Sequence, residues 1–408
     1  MSDMNEYKIV KITDLGTVNR GKSKHRPRND SILYGGEYPF IQTGDVKKAN
    51  LHLVDYTQTY NDMGLKQSKL WKKGTLCFTI AANIADSAIL GMDACFPDSI
   101  IGFLPYENVS DTTYVKYLFD ELKLYFQQIS KGTTQDNLSL DKICRVKLRV
   151  PDYDTQVKVA SILSTYDTAI ENNNKRIRLL EQMAENLYKE WFVRFRFPGY
   201  EDTHFIEDIP SSWSYVQLGD IASFDRGISY SSDEINCDDG INLINLKNIQ
   251  SYGGFRRNGT KQYNGKYKET QIVTPGDLIL GVTDMTQDRR TVGSVALIPR
   301  IEGISVISAD LVKVNLKVPN IFFYCMCRYG FYSKYFSQFA NGANVLHLKP
   351  NVLVNKKLLL PTSGLIESFT EKVQPMIDIV DHLNRQNDLL TKQRDMLLPR
   401  LMSGKLEV

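Results

Sequence analysis

The chain has 408 residues, 42% hydrophobic and 11% aromatic, enough apolar material for two full cores, which excludes a disordered protein. Its formal net charge of +3 is nearly balanced, so binding to an acidic polymer has to come from local basic clusters rather than a global field. Residues 1–6 hold no apolar signal core, apolar runs such as 321–327 are too short to span a bilayer, and six scattered cysteines form no CxxC pair. A cytoplasmic protein with reduced, structural thiols is the expectation.

In chain order, the landmarks occur twice. Val10, Asp14, Leu15, Arg20 and Gly21 recur 206 residues later as Val216, Asp220, Ile221, Arg226 and Gly227. Residues 39–46 run parallel to 242–249, and Lys73-Gly74-Thr75-Leu76 to Pro275-Gly276-Asp277-Leu278. From Gly132 and Gly342 onward the offset settles at 210 and holds through Leu138/Leu348, Pro151/Pro361, Leu187/Leu397 and Trp191/Leu401. A repeat this long exceeds solenoid and propeller periods, so each copy is a domain with an appendage, and two copies imply pseudo-twofold symmetry.

Within each copy, β-branched and aromatic runs at 76–80, 100–104, 278–280 and 310–314 alternate with Gly, Asn and Asp turns and predict strands. Amphipathic helices fit 114–130 and 321–339. After Pro151, the residues Val159, Leu163, Tyr166, Ile170, Asn173, Ile177, Leu180, Ala184, Leu187 and Trp191 recur at alternating spacings of four and three, a heptad seam. The second copy repeats it from Phe369 to Leu401 with Asn387 and Arg394 as polar members. Pseudo-twofold symmetry permits the two helices to pair antiparallel. If residue numbers across the seam sum to 560, Asn173 faces Asn387 and Tyr166 faces Arg394. A buried Asn pair costs stability and rewards one register, since a slip leaves an amide against an apolar side chain. Pro375 must begin the second helix or kink it.

The expected fold class is α/β (α+β): a first domain over residues 1–150, its helix over 151–194, a linker over 195–212 carrying Pro198, Gly199 and Pro210, a second domain over 213–361 and its helix over 362–408.

Catalytic signatures are missing or misleading. Residues 16–23 match the phosphate-binding pattern GxxxxGK[ST], but the following 24–30 has no apolar face and a central proline, so no helix opens there to cradle phosphate; the repeat also replaces Gly16 by Ala222 and Lys22 by Ile228. No Pro-Pro dipeptide suits a base methyltransferase, no paired carboxylates with a nearby lysine suit a metal nuclease, and His25, His52, His204, His347 and His382 form no ligand cluster. The chain reads as non-catalytic and as holding no metal or cofactor itself. An ATPase using residues 16–23 and a coiled-coil scaffold binding protein are the rival readings.

The segments ending the helices, 179–199 and 397–406, together with Gly-Thr-Thr-Gln-Asp-Asn-Leu at 132–138 and the Leu-x-Val-Pro lead at 148–151, closely resemble the conserved regions of type I restriction-modification specificity subunits (HsdS). That resemblance covers the whole chain. It implies two target-recognition domains, each reading one half of a bipartite site in double-stranded DNA, spaced by an antiparallel coiled coil. It also implies two methyltransferase subunits that use S-adenosylmethionine to methylate adenine, and restriction subunits that use ATP and Mg. The host would be prokaryotic. A helix of roughly 37 residues spans about 55 Å, enough to hold two readers about one turn of duplex apart.

Lys and Arg anchor phosphates, whereas Arg, Asn and Gln make bidentate contacts to base edges. In the first domain these chemistries single out Arg20, Lys22, Lys24, Arg26 and Arg28 in one loop, then Gln42, Thr43, Asn83, Lys131, Thr133, Thr134 and Gln135. In the second they single out Arg226, Asn245, Lys247, Arg256, Arg257, Thr286, Gln287, Arg289, Arg290, Asn344 and His347.

Overall fold

The computed structural model describes residues 7–131, 138–235 and 239–408. The chain divides into two compact units, residues 1–175 with 384–408 and residues 176–383, so each unit combines one domain with parts of both long helices.

In the first unit, Lys8–Val10 pairs antiparallel with Leu148–Val150, closing the domain where its chain enters and leaves. The main sheet runs in the order Gly16–Arg20, Ile100–Pro105, Leu76–Thr79, Ser87–Leu90, His52–Leu53. A second sheet runs Gln58–Tyr60, Tyr34–Phe40, Ala94–Cys95, Leu70–Trp71. Phe78, Phe119 and Phe126 meet edge-on at 4.7–5.3 Å under the first sheet, and Trp71 stacks on Phe96 at 4.8 Å under the second. Burying such aromatic clusters supplies most of what holds a mixed domain of this size together.

The second unit repeats that plan. Ser214–Gln217 pairs with Lys357–Leu360. Its main sheet runs Ala222–Arg226, Leu311–Leu316, Leu278–Gly281, Val295–Leu297, and its second sheet Lys261–Tyr263, Ile241–Ile244, Ser305–Ile307, Ile272–Val273. In both second sheets the central pairing is parallel. The repeated Arg-Gly landmark has a steric cause: a side chain at Gly21 would meet the Pro97 carbonyl oxygen at 2.3 Å, and one at Gly227 the Ser308 oxygen at 2.1 Å.

Both shorter helices are broken where the periodicity predicts one. Residues 114–130 fold as Thr112–Glu121 and Lys123–Ser130, with Leu122 out of helical geometry between them. In the second copy Asn320–Tyr329 ends at Gly330, and Phe331, at φ +65°, restarts the chain as Tyr332–Ser337. The apolar spacing survives the break, which is why it is invisible in the pattern. The 195–212 segment holds a turn at Tyr200–Asp202 and the two-stranded Phe205–Ile206/Ile209–Pro210 hairpin.

The first long helix, Tyr153–Tyr188, starts under an Asp152 carboxylate that accepts from the Thr155 amide at 2.9 Å, and ends in a π-helical turn, Lys189–Val193. The second, Ser363–Met402, begins well before Pro375, so the proline lies in its interior, where it removes one main-chain bond. In the first unit the two helices run antiparallel. Asn173 donates to Asn387 at 2.9 Å and to Gln386 at 3.1 Å, and Asn387 donates to Asn174 at 2.9 Å.

The partner of Arg394 differs from expectation: its guanidinium grips the Asp167 carboxylate, not Tyr166, which is only half-buried. Asp167 is completely buried because it faces inward to the domain, where the Tyr117 hydroxyl donates to it; Arg394 also donates to Asn50 at 3.2 Å. A heptad argument ranks positions by facing helix alone and misses a residue facing helix and domain together. Burial works against the charge on Arg394, but the Asp167 carboxylate holds it in place and raises the pKa. In the second unit Tyr188, Trp191 and Phe192 surround Phe369 at 4.9–5.9 Å.

Candidate nucleic-acid interface

In the first unit the 20–30 loop is fastened by its backbone. The Gly21 amide donates to Ile100 and the Lys22 amide to Phe96, while Gln67 accepts from the Lys24 and His25 amides at 2.6 and 3.0 Å. This leaves the Arg20, Lys22 and Lys24 side chains exposed, and among the described residues no ion pair engages them. The other two arginines are occupied: Arg26 donates to the Ser23 and His25 carbonyls, and Arg28 pairs with Asp98 at 2.8 Å. The run of eight residues that imitates a phosphate loop is a strand, Gly16–Arg20, followed by this extended loop, with no helix at its end.

A second neighbourhood gathers three separate segments. The loop at 80–86 follows Leu76–Thr79; the helix Thr43–Lys48 reaches it through Lys47, which donates to Asn83 at 3.1 Å; and the Leu138 amide donates to the Ile80 carbonyl at 3.0 Å. Ala82 and Ala85 both have positive φ, +61° and +68°, a conformation that side chains seldom adopt and that clusters at functional sites. Gln42 and Thr43 start the helix and are half-buried, with Gln42 donating to Gln58. Lys131 is exposed; Thr133, Thr134 and Gln135 lie outside the described residues.

The second unit assembles the same neighbourhood with different side chains. The Leu348 amide donates to the Val282 carbonyl at 2.8 Å, matching Leu138 and Ile80, and Thr283–Asp284 pairs with Leu346–His347. Gln287 donates to the Ala343 carbonyl at 2.7 Å, and the Tyr252 amide to the Arg290 carbonyl at 2.8 Å, so the 284–292 loop is flanked by 341–347 on one side and 250–256 on another. Thr286, Gln287, Arg290, Asn344, His347 and Arg256 are exposed around it. Arg290 carries a surface pair with Asp288 at 2.7 Å, worth little in water and easily exchanged. Arg226 and Lys247 are exposed on neighbouring segments.

Three candidates of the second unit are engaged by other parts of the fold. Asn245 is 5% exposed, its amide donating to the Leu243 and Gly259 carbonyls while its oxygen accepts from the Lys247 amide; it caps a turn. Arg257 is held by Asp381 at 3.3 Å and the Arg300 carbonyl. Arg289, at φ +54°, points inward onto the Ser337 and Gln338 carbonyls. In each case residue type was right for base contact and burial or a closer partner decided otherwise. Tyr252 and Met285 are also exposed in these loops, at 52% and 71%.

No group of His, Cys, Asp or Glu able to hold a metal ion occurs among the described residues, and no helix among them is long and apolar enough to cross a membrane.

The family model of the type I restriction modification DNA specificity domain matches residues 4–182. The MjaIX type I restriction enzyme specificity subunit of Methanocaldococcus jannaschii is 25% identical over 99% of this chain and 94% of its own length. The HindI specificity subunit of Haemophilus influenzae is 23% identical over the whole of both chains. The crystal structure of a type I restriction-modification S subunit from M. genitalium superimposes with a TM-score of 0.63 at 14% identity, covering 98% of this chain and 97% of that one, which establishes the shared fold. With its duplicated domains and long helices, the chain is similar along its full length to type I restriction enzyme specificity subunits, and its first copy matches their DNA specificity domain.

Proposed function

We propose that this chain reads an asymmetric, bipartite sequence in double-stranded DNA, one half through each domain, and directs adenine methylation or restriction by partner subunits. The observation that carries the reading is the repeated neighbourhood: both units bring a loop after the same strand against the segment that follows Gly132 or Gly342, yet fill it with different side chains. A shared frame with unlike readers suits two unlike half-sites. Arg20, Lys22 and Lys24 of the first unit and Arg226, Lys247 and Arg256 of the second supply phosphate anchoring, which fixes register without reading sequence. Two methyltransferase subunits, bringing S-adenosylmethionine, dock on the long helices, and restriction subunits, using ATP and Mg, join them; this chain holds none of those cofactors.

The test is to express the chain with its methyltransferase subunit in a host lacking adenine methylation and to map modified adenines across the genome. A split motif modified in both halves, lost when either domain is deleted, is the expected result. An assembled complex that modifies nothing would overturn the reading.

A further inference from the structure

Asp284 is 3% exposed and sits at the root of one of the most exposed loops in its unit. Its carboxylate accepts four bonds from that loop: the Thr286 amide and hydroxyl, each at 2.9 Å, on one oxygen, and the Thr291 amide at 2.7 Å and the Val292 amide at 3.3 Å on the other. Burial alone would push this carboxyl up, but the donors from Thr291 and Thr286 outweigh it and hold it down at about 2, so it stays ionised. Further braces act on the same loop: the Gln287 amide on Ala343, Arg289 on two helix-end carbonyls, and the Arg290 carbonyl on the Tyr252 amide. Thus a segment with no core of its own is locked at both ends and in the middle.

What the lock presents is an apolar side chain within a polar rim. Met285 stands 71% exposed beside Thr286, Gln287 and Arg290, with Asn344 and His347 on the adjoining strand end. A rigid loop offering one apolar side chain among amides and a guanidinium matches the features of base-pair edges in the major groove, where the thymine methyl takes an apolar contact and adenine or guanine takes a bidentate amide or guanidinium. Rigidity matters because discrimination between bases rests on geometry held before binding.

We propose that the 285–290 loop is the base-reading element of the second unit, with Met285 against a thymine methyl and Arg290 on a neighbouring base edge, and that Asp284 is its positioning residue. The inference rests on the DNA-reading function proposed above. Asp284 touches no DNA; it sets where the readers stand.

The experiment uses the full chain assembled with its methyltransferase subunit and reads the methylated genomic motif for the wild type and for Met285→Ala, Arg290→Ala and Asp284→Asn. Each variant is expected to relax one half of the split motif, with preference at one or two positions falling on the order of tenfold, while the other half stays as strict as in the wild type. Asp284→Asn should relax the same positions as the two loop variants together, which a general loss of stability does not produce. Motifs identical to the wild type for both Met285→Ala and Arg290→Ala would overturn the assignment, and because those side chains are exposed, their variants decide the matter even if Asp284→Asn does not assemble. A wild-type complex that yields no split motif would instead strike the functional reading beneath it.

Discussion

The two units close the same joint between domain and long helix with opposite chemistry. In the first, Asp167, Arg394 and Tyr117 form a buried charged network with Asn50. At the positions that the repeat makes equivalent, the second has Ile377, Ala184 and Cys325, all within one hydrophobic cluster. Identical backbone plans therefore do not require identical cohesion. A buried ion pair is costly to desolvate and holds only while every partner is present, whereas an apolar joint loses stability in proportion to the atoms removed. The two equivalent loops differ in the same way. The 80–86 loop is pinned by the Thr79 hydroxyl, which contacts Asn83 and Asp86, and the 284–292 loop by a carboxylate with four donors.

The largest expected effect breaks the first joint. Asp167→Ala leaves the Arg394 guanidinium with only the exposed Asp395 carboxylate, 2.8 Å away, and removes the acceptor of the Tyr117 hydroxyl, so it should lower the stability of the first unit by about 3 kcal/mol in denaturant melts. Replacing the network by the second unit's residues, Asp167→Ile with Arg394→Ala and Tyr117→Cys, should restore most of that loss; a triple variant as weak as the single one would show that the two joints are not equivalent.

Acid sharpens the contrast between the loops. Asp284 is held at about 2 in the fold against 3.8 for the unperturbed group, so its contribution of about 2 kcal/mol is present above pH 4 and disappears as pH falls through 2. Hydrogen exchange should show protection of the Thr286, Thr291 and Val292 amides falling over that range, with no such transition for the Asp86 amide that Thr79 holds. Equal acid lability of both loops would contradict it.

A smaller effect is expected at the helix pair. Asn173→Leu combined with Asn387→Leu removes a polar pair from between the apolar seam positions Ile170, Ile177, Leu383 and Leu390 and should raise the melting temperature by a few degrees while allowing the register to slip. An unchanged or lowered value would mean that the amides contribute net stability.

On DNA, Lys22→Ala or Lys24→Ala should weaken binding of the assembled complex to all sequences alike and reduce the salt slope by about 1 for each phosphate left without its lysine, with the motif intact. A changed motif would move these lysines from anchors to readers.

The smallest effect concerns His52, whose hydrogen bond to Glu171 raises its pKa above 6.5 against the opposing influence of burial. Since the folded value lies above the unfolded one, the stabilisation is complete below pH 6.5 and is lost as pH rises through the folded value. His52→Gln should flatten the melting-temperature profile of the first unit across that interval.

The duplication, the long helices and the antiparallel pairing of two asparagines were all legible in the sequence, because each depends on spacing along one chain: a constant offset, a heptad, an asparagine in each seam. The resemblance to type I specificity subunits was legible for the same reason, through segments whose order survives intact. Four matters were not. The breaks at Leu122 and at Gly330 with Phe331 preserve apolar spacing, so periodicity passes over them. Arg394 chose Asp167 because a residue facing helix and domain at once is set by packing in three dimensions. Asn245, Arg257 and Arg289 carry the right chemistry for DNA but are consumed by nearer carbonyls and carboxylates. And Asp284 acquires its role only when four donors, from residues up to eight positions away, are folded back onto one buried carboxylate. Sequence spacing determines what can pair along an element; which polar group is left over to meet a ligand depends on every other partner within reach, and that is decided only by the tertiary fold.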